Sequence, residues 1–413
     1  MRVKKPPSSG FFLIFLYKQS ATRGRRHLKA KKNILIAILC MSAVMNSFMA
    51  VTSILAEVAK SFPTASNSQV QMVYTIGSLV ALPLMLLAGR LTNYCPKKYL
   101  GIVGMAIMLL GGMLPTVWHN QLWNLYVASG VIGVGMAFTN IISSTLISDH
   151  FTGLSKGAVM GYQSAAVSVG GAITSYFSGQ IAANIHWSKA YLVYLIVLPV
   201  ILITLALLPK DKVVPPEEAA AEGKAIHGRL IYFGILNFFA FIFVNYFNSN
   251  IAMFLDGTGL GDAAVAGTTG SIFMLIGIPA GLLLGVIIKK LGRSTIGLMT
   301  LCIALGMLCV SVAQSLALVY IGAFLVGFGF AVRNPTGITF AANMVPAASA
   351  GLGIAVFNAI GQVGSFLSPF AVNGLGSLMG GGVRTTFMIC AVGLAIVGTV
   401  FLVLNPVKKE EVG

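Results

Sequence analysis

Twelve apolar stretches, most of them near 20 residues or longer, follow one another along this chain. They run over 34–58, 69–89, 99–117, 122–147, 156–180, 189–208, 229–254, 265–288, 294–313, 316–341, 350–376 and 384–404. A helix needs about 20 mostly apolar residues to cross the roughly 30 Å hydrocarbon core of a bilayer. In hydrocarbon every backbone N–H and C=O must be paired within the chain, so each stretch is expected to be a helix. Twelve in succession predict an all-α membrane protein. The composition agrees: 57% of the 413 residues are hydrophobic and 9% charged, where soluble domains carry about 25% charged residues. This excludes a soluble fold, a disordered chain and a secreted disulfide scaffold. The five cysteines show no CxxC and no His/Cys cluster, so neither disulfides nor a metal site are expected. No phosphate loop or nucleophile constellation is present, which points away from an enzyme, from ATP-driven transport and from any cofactor.

The connections are short except near the midpoint, where Pro209 to Gly228 carries Lys210, Asp211, Pro215, Pro216, Glu217 and Glu218. The expected organisation is a basic N-terminal tail (1–33), a six-helix bundle (34–208), a linker (209–228), a second six-helix bundle (229–404) and a C-terminal tail (405–413). The apolar run Phe11 to Tyr17 is too short to span and reads as part of a surface-lying or disordered tail. The net charge of +17 invites a nucleic-acid partner, but the positions of the charges argue otherwise. With the N-terminus in the cytoplasm, 23 of the 27 Lys and Arg fall in cytoplasmic segments and three (Lys60, Lys189, Arg384) outside. That is the positive-inside bias of a cell-membrane protein with both termini cytoplasmic, and it needs no nucleic acid. The bilayer and a small-molecule substrate are the expected partners, and a monomer the expected state.

The halves repeat. Pro83 and Gly89 match Pro279 and Gly285 at an offset of 196; Gly133, Gly135, Ala137 and Asn140 match Gly327, Gly329, Ala331 and Asn334 at 194. Ala165, Val169 and Gly170 match Ala359, Val363 and Gly364, also at 194; Asn46 and Glu57 match Asn245 and Asp256 at 199. Equivalents lie six spans apart, so the repeats run parallel. Between spans 2 and 3 the chain reads Gly89-Arg90-Leu91-Thr92-Asn93-Tyr94-Cys95-Pro96-Lys97-Lys98. On these residues it resembles the major facilitator superfamily, whose loop pattern is roughly G-x-L-A-D-R-x-G-R-K. Gly89, Leu91, Lys97 and Lys98 fit; the acidic position is Asn93, and in the second copy Lys289. The resemblance implies a 12-helix fold of two six-helix bundles, a secondary transporter working by alternating access, and a cavity lined by spans 1, 4, 7 and 10. Two exporter features are absent. Ser129 stands where proton-driven exporters often carry Arg, and Ser168-Val169-Gly170-Gly171-Ala172 replaces a Gly-Pro-x-x-Gly-Gly element.

Span 10 holds the one deep charge, Arg333, about 7 Å past mid-span at 1.5 Å per residue. Intramembrane ionisable residues are functional by default, and a guanidinium matches a carboxylate, sulfonate or phosphate. The bland alternative is an Arg tied to a carbonyl or acid within the bundle. Asn334, Asn140, Asn46, Asn245 and Tyr246 complete the candidate substrate set; for the asparagines the alternative is hydrogen bonding between helices. Pro335 is expected to free the carbonyl of Ala331 and bend span 10. Gating candidates are Glu57 and Asp256 at the outer ends, and Asp149 beside Arg90, Lys97 and Lys98 at the inner end, an ion pair expected to form as the inner side closes. The reading is transport of a small organic anion, with proton coupling; the alternative is proton-driven efflux of drug-like amphipathic compounds.

Overall fold

The computed structural model describes residues 31–92, 94–151, 153–209, 228–345 and 350–407. The basic tail before residue 31, the Phe11 to Tyr17 run, Asn93, most of the midpoint linker and the last six residues lie outside them. Twelve membrane-length elements follow in order. They are α1 (Lys31–Thr52), α2 (Asn67–Leu91), α3 (Lys97–Val117), α4 (Leu122–His150), α5 (Gly153–Asn184), α6 (Trp187–Leu207), α7 (Gly228–Thr258), α8 (Ala263–Leu275 continued by Gly277–Leu291), α9 (Thr295–Ser311), α10 (Leu316–Asn343), α11 (Ala350–Leu378) and α12 (Val383–Val403). By length and apolarity ten helical stretches suffice to cross a membrane, one of which, Ala263–Ser311, contains both α8 and α9. Only α5, diluted by Gly, Ser and Gln, is not among them.

Helix ends fall where the sequence can satisfy orphan N–H groups. Ser66 and Gln69 form a reciprocal capping box at α2. The Asp262 carboxylate accepts from the Val265 N–H at the start of α8. Three helices depart from regular α-geometry. In the middle of α1 the backbone closes i to i−3 bonds (Met45 to Ser42, Met49 to Asn46, Ala50 to Ser47), while the hydroxyls of Ser47, Thr52 and Ser53 bond back to carbonyls three residues earlier. Such back-bonding loosens and bends a helix; here it does so around Asn46. A short helix, Leu55–Ser61, then carries the chain outward. In α8 the helix breaks at Ile276, one residue after the carbonyl that Pro279 leaves without a donor. The first ten residues of α6, Trp187–Ile196, are a 3-10 helix. By contrast α10 runs unbroken through Pro335.

The repeat predicted from sequence is visible in the packing. At Gly133 a Cβ would fall on the carbonyl of Gly77, and at Gly327 it would sit 2.5 Å from that of Phe273. At Gly135 and Gly329 it would lie 2.5 and 2.8 Å from the carbonyls of Gly104 and Met299, and at Gly170 and Gly364 on those of Ala43 and Phe238. Thus α4 lies on α2 and α3 as α10 lies on α8 and α9, and α5 lies on α1 as α11 lies on α7. The halves meet along two pseudo-equivalent seams, α5 with α8 and α2 with α11. The face holding residue 31, Arg90 and Lys289 is called the tail face below, and its opposite the far face.

Candidate functional site

The hydrogen bonds that join the two bundles, among the described residues, fall at the middle and the far-face half. Deepest is Asn46 of α1, whose Nδ2 donates to the Met274 sulfur of α8 at 3.2 Å. On the α5–α8 seam, Ser271 Oγ donates to the Ala172 carbonyl at 2.8 Å and Ser175 Oγ to that of Gly267 at 3.3 Å. Between α2, α7 and α11 four side chains close a ring. Tyr246 OH donates to Asn373 Oδ1 (2.7 Å), Asn373 Nδ2 to Gln71 Oε1 (2.9 Å), Gln71 Nε2 to Asn250 Oδ1 (2.9 Å) and Asn250 Nδ2 to Tyr246 OH (2.5 Å). Each member both gives and accepts, so the hydrogen bonds polarise one another in one direction. Asn373 Nδ2 also reaches Ser68 Oγ at 3.0 Å. Above the ring Lys60 bridges two acids, 2.9 Å from Glu57 and 2.6 Å from Asp256. Glu57 belongs to the Leu55–Ser61 helix and Asp256 to α7, so this bridge crosses the bundles. Hydrogen bonds to Asp256 first and Glu57 second hold the Lys60 ammonium above lysine's ordinary pKa. On the tail half, Leu86 and Leu87 of α2 and Leu282 and Val286 of α8 stand exposed. The protein is closed at the far face.

Arg333 does not face the space between the bundles. It is 1% exposed and turns into the second bundle. Its Nε donates to Thr300 Oγ1 of α9 and its Nη2 to Asn237 Oδ1 of α7, both at 3.0 Å. The rings of Phe241 and Phe401 lie 5.7 and 5.8 Å from Cζ. This corrects the picture of Arg333 on an open cavity wall. The reason is helical phase: Gly327 and Ala331 of α10 face α8, whereas Arg333 shares the face toward α9 with Gly322, Val326 and Gly329. No acid among the described residues pairs with it. The charge is buried against neutral dipoles and π faces.

The asparagines divide. Asn334 lies on the α8 side of α10 and its Oδ1 is buried without a hydrogen-bond partner. Its repeat mate Asn140 is half-buried on α4. Asn46 spans the bundles through Met274, whereas Asn245 donates to the Ser365 carbonyl of α11 at 3.2 Å, inside the second bundle. Tyr246 belongs to the ring. On the tail face Lys97 pairs with Asp149, Lys98 donates to the Leu205 carbonyl at 2.7 Å, and Arg90 is exposed. Asp149 and Lys97 sit on α4 and α3 of one bundle, and they are paired while the far face is the closed one. The pair therefore lies within one bundle and does not bridge the halves. Sequence reading passed over Gln71, Asn373, Lys60, Thr300 and Met274. Amides inside apolar helices were the available signal for the first two.

The fold is shared with solved transporters. A structure of a mutant of the nucleoside transporter NupG superposes with a TM-score of 0.76 at 12% identity, covering 90% of this chain and 100% of that one. A bacterial homolog of the human lysosomal transporter Spinster, in an inward-facing and unoccupied conformation, gives 0.69 at 15% identity, covering 92% and 98%. A mutant of the peptide transporter POT, in complex with alafosfalin, gives 0.73 at 12%, covering 90% and 94%. Among curated proteins, bovine (Bos taurus) protein spinster homolog 1 is 26% identical over 183 residues, which is 42% of this chain and 34% of the bovine protein's length. The family model of the Major Facilitator Superfamily matches residues 34–369 and, in a second overlapping match, 233–413. With the sequence repeat, the paired seams and that match over most of its length, this chain belongs to the Major Facilitator Superfamily.

Proposed function

We propose that this membrane transporter carries a small organic anion by alternating access, with proton coupling, loading from the tail face in the conformation described. The observation that supports the anion is Arg333. A buried charge is costly without a compensating partner, and this one has only neutral partners in the fold. Of the five N–H donors of a guanidinium, Thr300 and Asn237 take two. An anion held near Asn334 and Phe241 would feel the charge through a medium of low dielectric, or meet it directly as the Phe241 ring swings. The Asn334 Oδ1 that lacks a donor is a group a substrate hydroxyl or amide could satisfy. For coupling, the acids that join the two bundles through Lys60 are Glu57 and Asp256. Protonating either would weaken that bridge.

The test is thermal unfolding of the purified protein in detergent with mono- and dicarboxylates, sugar acids, bile acids and lipophilic cations. The wild type is compared with Arg333→Lys and Arg333→Gln. A ligand stabilises the state it binds in proportion to occupancy. An anion that raises the midpoint of the wild type and Arg333→Lys but not Arg333→Gln is the expected result. Stabilisation by cations alone, equal in all three proteins, overturns the anion reading in favour of drug-like efflux.

A further inference from the structure

On the side of α5 turned away from α1 and α8, the far-face half carries a groove of about 330 Å³ between α5 and α6. Ile173, Phe177 and Ile181 of α5 form one wall, Leu192, Val193 and Ile196 of α6 the other. The one hydroxyl in it, Thr174, is turned back onto the Gly170 carbonyl at 2.9 Å, so the surface offered is hydrocarbon. Ile173, Phe177, Leu192 and Ile196 are each exposed. The groove lies along the stretch where α6 opens as a 3-10 helix. That form is thinner than an α-helix, and its side chains at i and i+3 eclipse. They stack in columns with a trough between, where an α-helix would stagger them to fill the gap.

The same register places a charge. Lys189 and Leu192 are three residues apart on that 3-10 helix, so the lysine stands directly above a groove residue, about 6 Å toward the far face at 2.0 Å per residue. It is exposed, and its ammonium has no partner among the described residues. The α5 wall lies roughly 5 to 16 Å beneath the far end of that helix at 1.5 Å per residue. That is the depth of one leaflet of a core about 30 Å thick. Hydrocarbon trough and interfacial cation are therefore stacked in the order of an acyl chain and its phosphate.

We propose that this groove is a binding site for one anionic phospholipid of the far-face leaflet, with an acyl chain between α5 and α6 and the phosphate against Lys189. A concave apolar site contacts the chain from two helices, where a flat helix face contacts it from one. A basic residue at the interface selects negatively charged headgroups. The neighbouring face of α5 forms the seam with α8 through Ser175 and Ala172. A lipid seated here would thus lie one helix behind a surface that moves in alternating access.

Native mass spectrometry of the delipidated full-length protein, given phosphatidylglycerol or phosphatidylcholine in equal amount, reads the site. Lys189→Gln removes the charge and Val193→Phe fills the trough. Midpoints of unfolding without lipid verify that both variants fold. The expected result is one retained phosphatidylglycerol per chain, preferred over phosphatidylcholine by about fivefold, the contribution of one interfacial lysine. The preference disappears in Lys189→Gln, and retention of both lipids falls in Val193→Phe. Equal retention of the two lipids by the wild type, or retention unchanged in both variants, overturns the proposal. Competition by inorganic phosphate alone would also overturn it, since the chain would then contribute nothing.

Discussion

Arg333 is held by neutral groups, and that decides what its removal should do. Its removal takes away the desolvation cost of the charge but leaves Asn237 Oδ1 without its donor, a loss of about 1–3 kcal/mol that opposes the gain. Arg333→Met is therefore expected to keep a ligand-free unfolding midpoint near wild type while abolishing stabilisation by anions. An arginine that serves only its bonds to Thr300 and Asn237 and its contacts with Phe241 and Phe401 would leave stabilisation by anions intact in the variant, and that outcome would count against the anion role. The ring of Tyr246, Asn373, Gln71 and Asn250 supports a second prediction. Tyr246→Phe leaves Asn373 Oδ1 without its donor and Asn250 Nδ2 without its acceptor. The far-face-closed state should lose about 1–3 kcal/mol. Spin-label distances between the far ends of α2 and α11 should lengthen, and unchanged distances would show that the ring does not hold that face. Little of this was legible in the sequence. Arg333 stood out as the one deep charge, but which way it points depends on the helical phase of α10. The ring members are ordinary amides and one tyrosine on three helices far apart in the chain.

At the scale of the element, most of the architecture could be read directly. Twelve apolar runs became twelve membrane-length elements, because a bilayer gives an apolar run no alternative to the helix. Repeat offsets near 194 to 199 became matching contacts, because glycines that let two helices touch must sit at the same register in each half. The irregular places were less legible: the loosened middle of α1 and the 3-10 start of α6 arise from local hydroxyl and carbonyl competition and from packing, whereas the break in α8 follows the carbonyl that Pro279 frees. Pro335, which promised a bend, sits in an unbroken helix whose Thr336 and Thr339 hydroxyls take the carbonyls of Val332 and Pro335. The glycine contacts yield a sharp pair of substitutions. Gly170→Ala would drive a Cβ into the backbone carbonyl of Ala43, where nothing flexible can yield; overpacking of that kind costs about 1–3 kcal/mol. Gly281→Ala meets nothing within 4 Å, and alanine's helix preference should contribute up to about 1 kcal/mol. Unfolding midpoints should move in opposite directions. A loss from both would mean that α8 needs freedom at Gly281 for motion rather than for packing.

At the scale of the whole molecule, the bonds that join the two bundles at the far face include a charged bridge and a neutral ring, and the two respond differently to pH. The ring is three amides and a phenol and carries no charge at neutral pH. The bridge depends on Lys60, whose folded-state pKa is raised above 10.5 by its two acids. A raised lysine contributes fully at pH values below its unfolded pKa, and the contribution disappears only as the pH climbs through the folded value. Deprotonation of Lys60 therefore does not open the far face anywhere near neutrality. Both carboxylates lie within hydrogen-bonding reach of one nitrogen, so the cation is what lets them stand together. Being half exposed, the bridge is worth at most about 1 kcal/mol per pair in isolation, yet its removal leaves two like charges facing each other across the interface. Lys60→Met should shift the population toward an open far face at neutral pH. Adding Asp256→Asn to Lys60→Met removes one of the two like charges and should close it again. Spin-label distances between the Leu55–Ser61 helix and the far end of α7, compared in wild type, single and double variant, read this directly. A single variant that does not open, or a double variant as open as the single one, would mean that the neutral hydrogen bonds hold the two halves and that Glu57 and Asp256 take no part in gating.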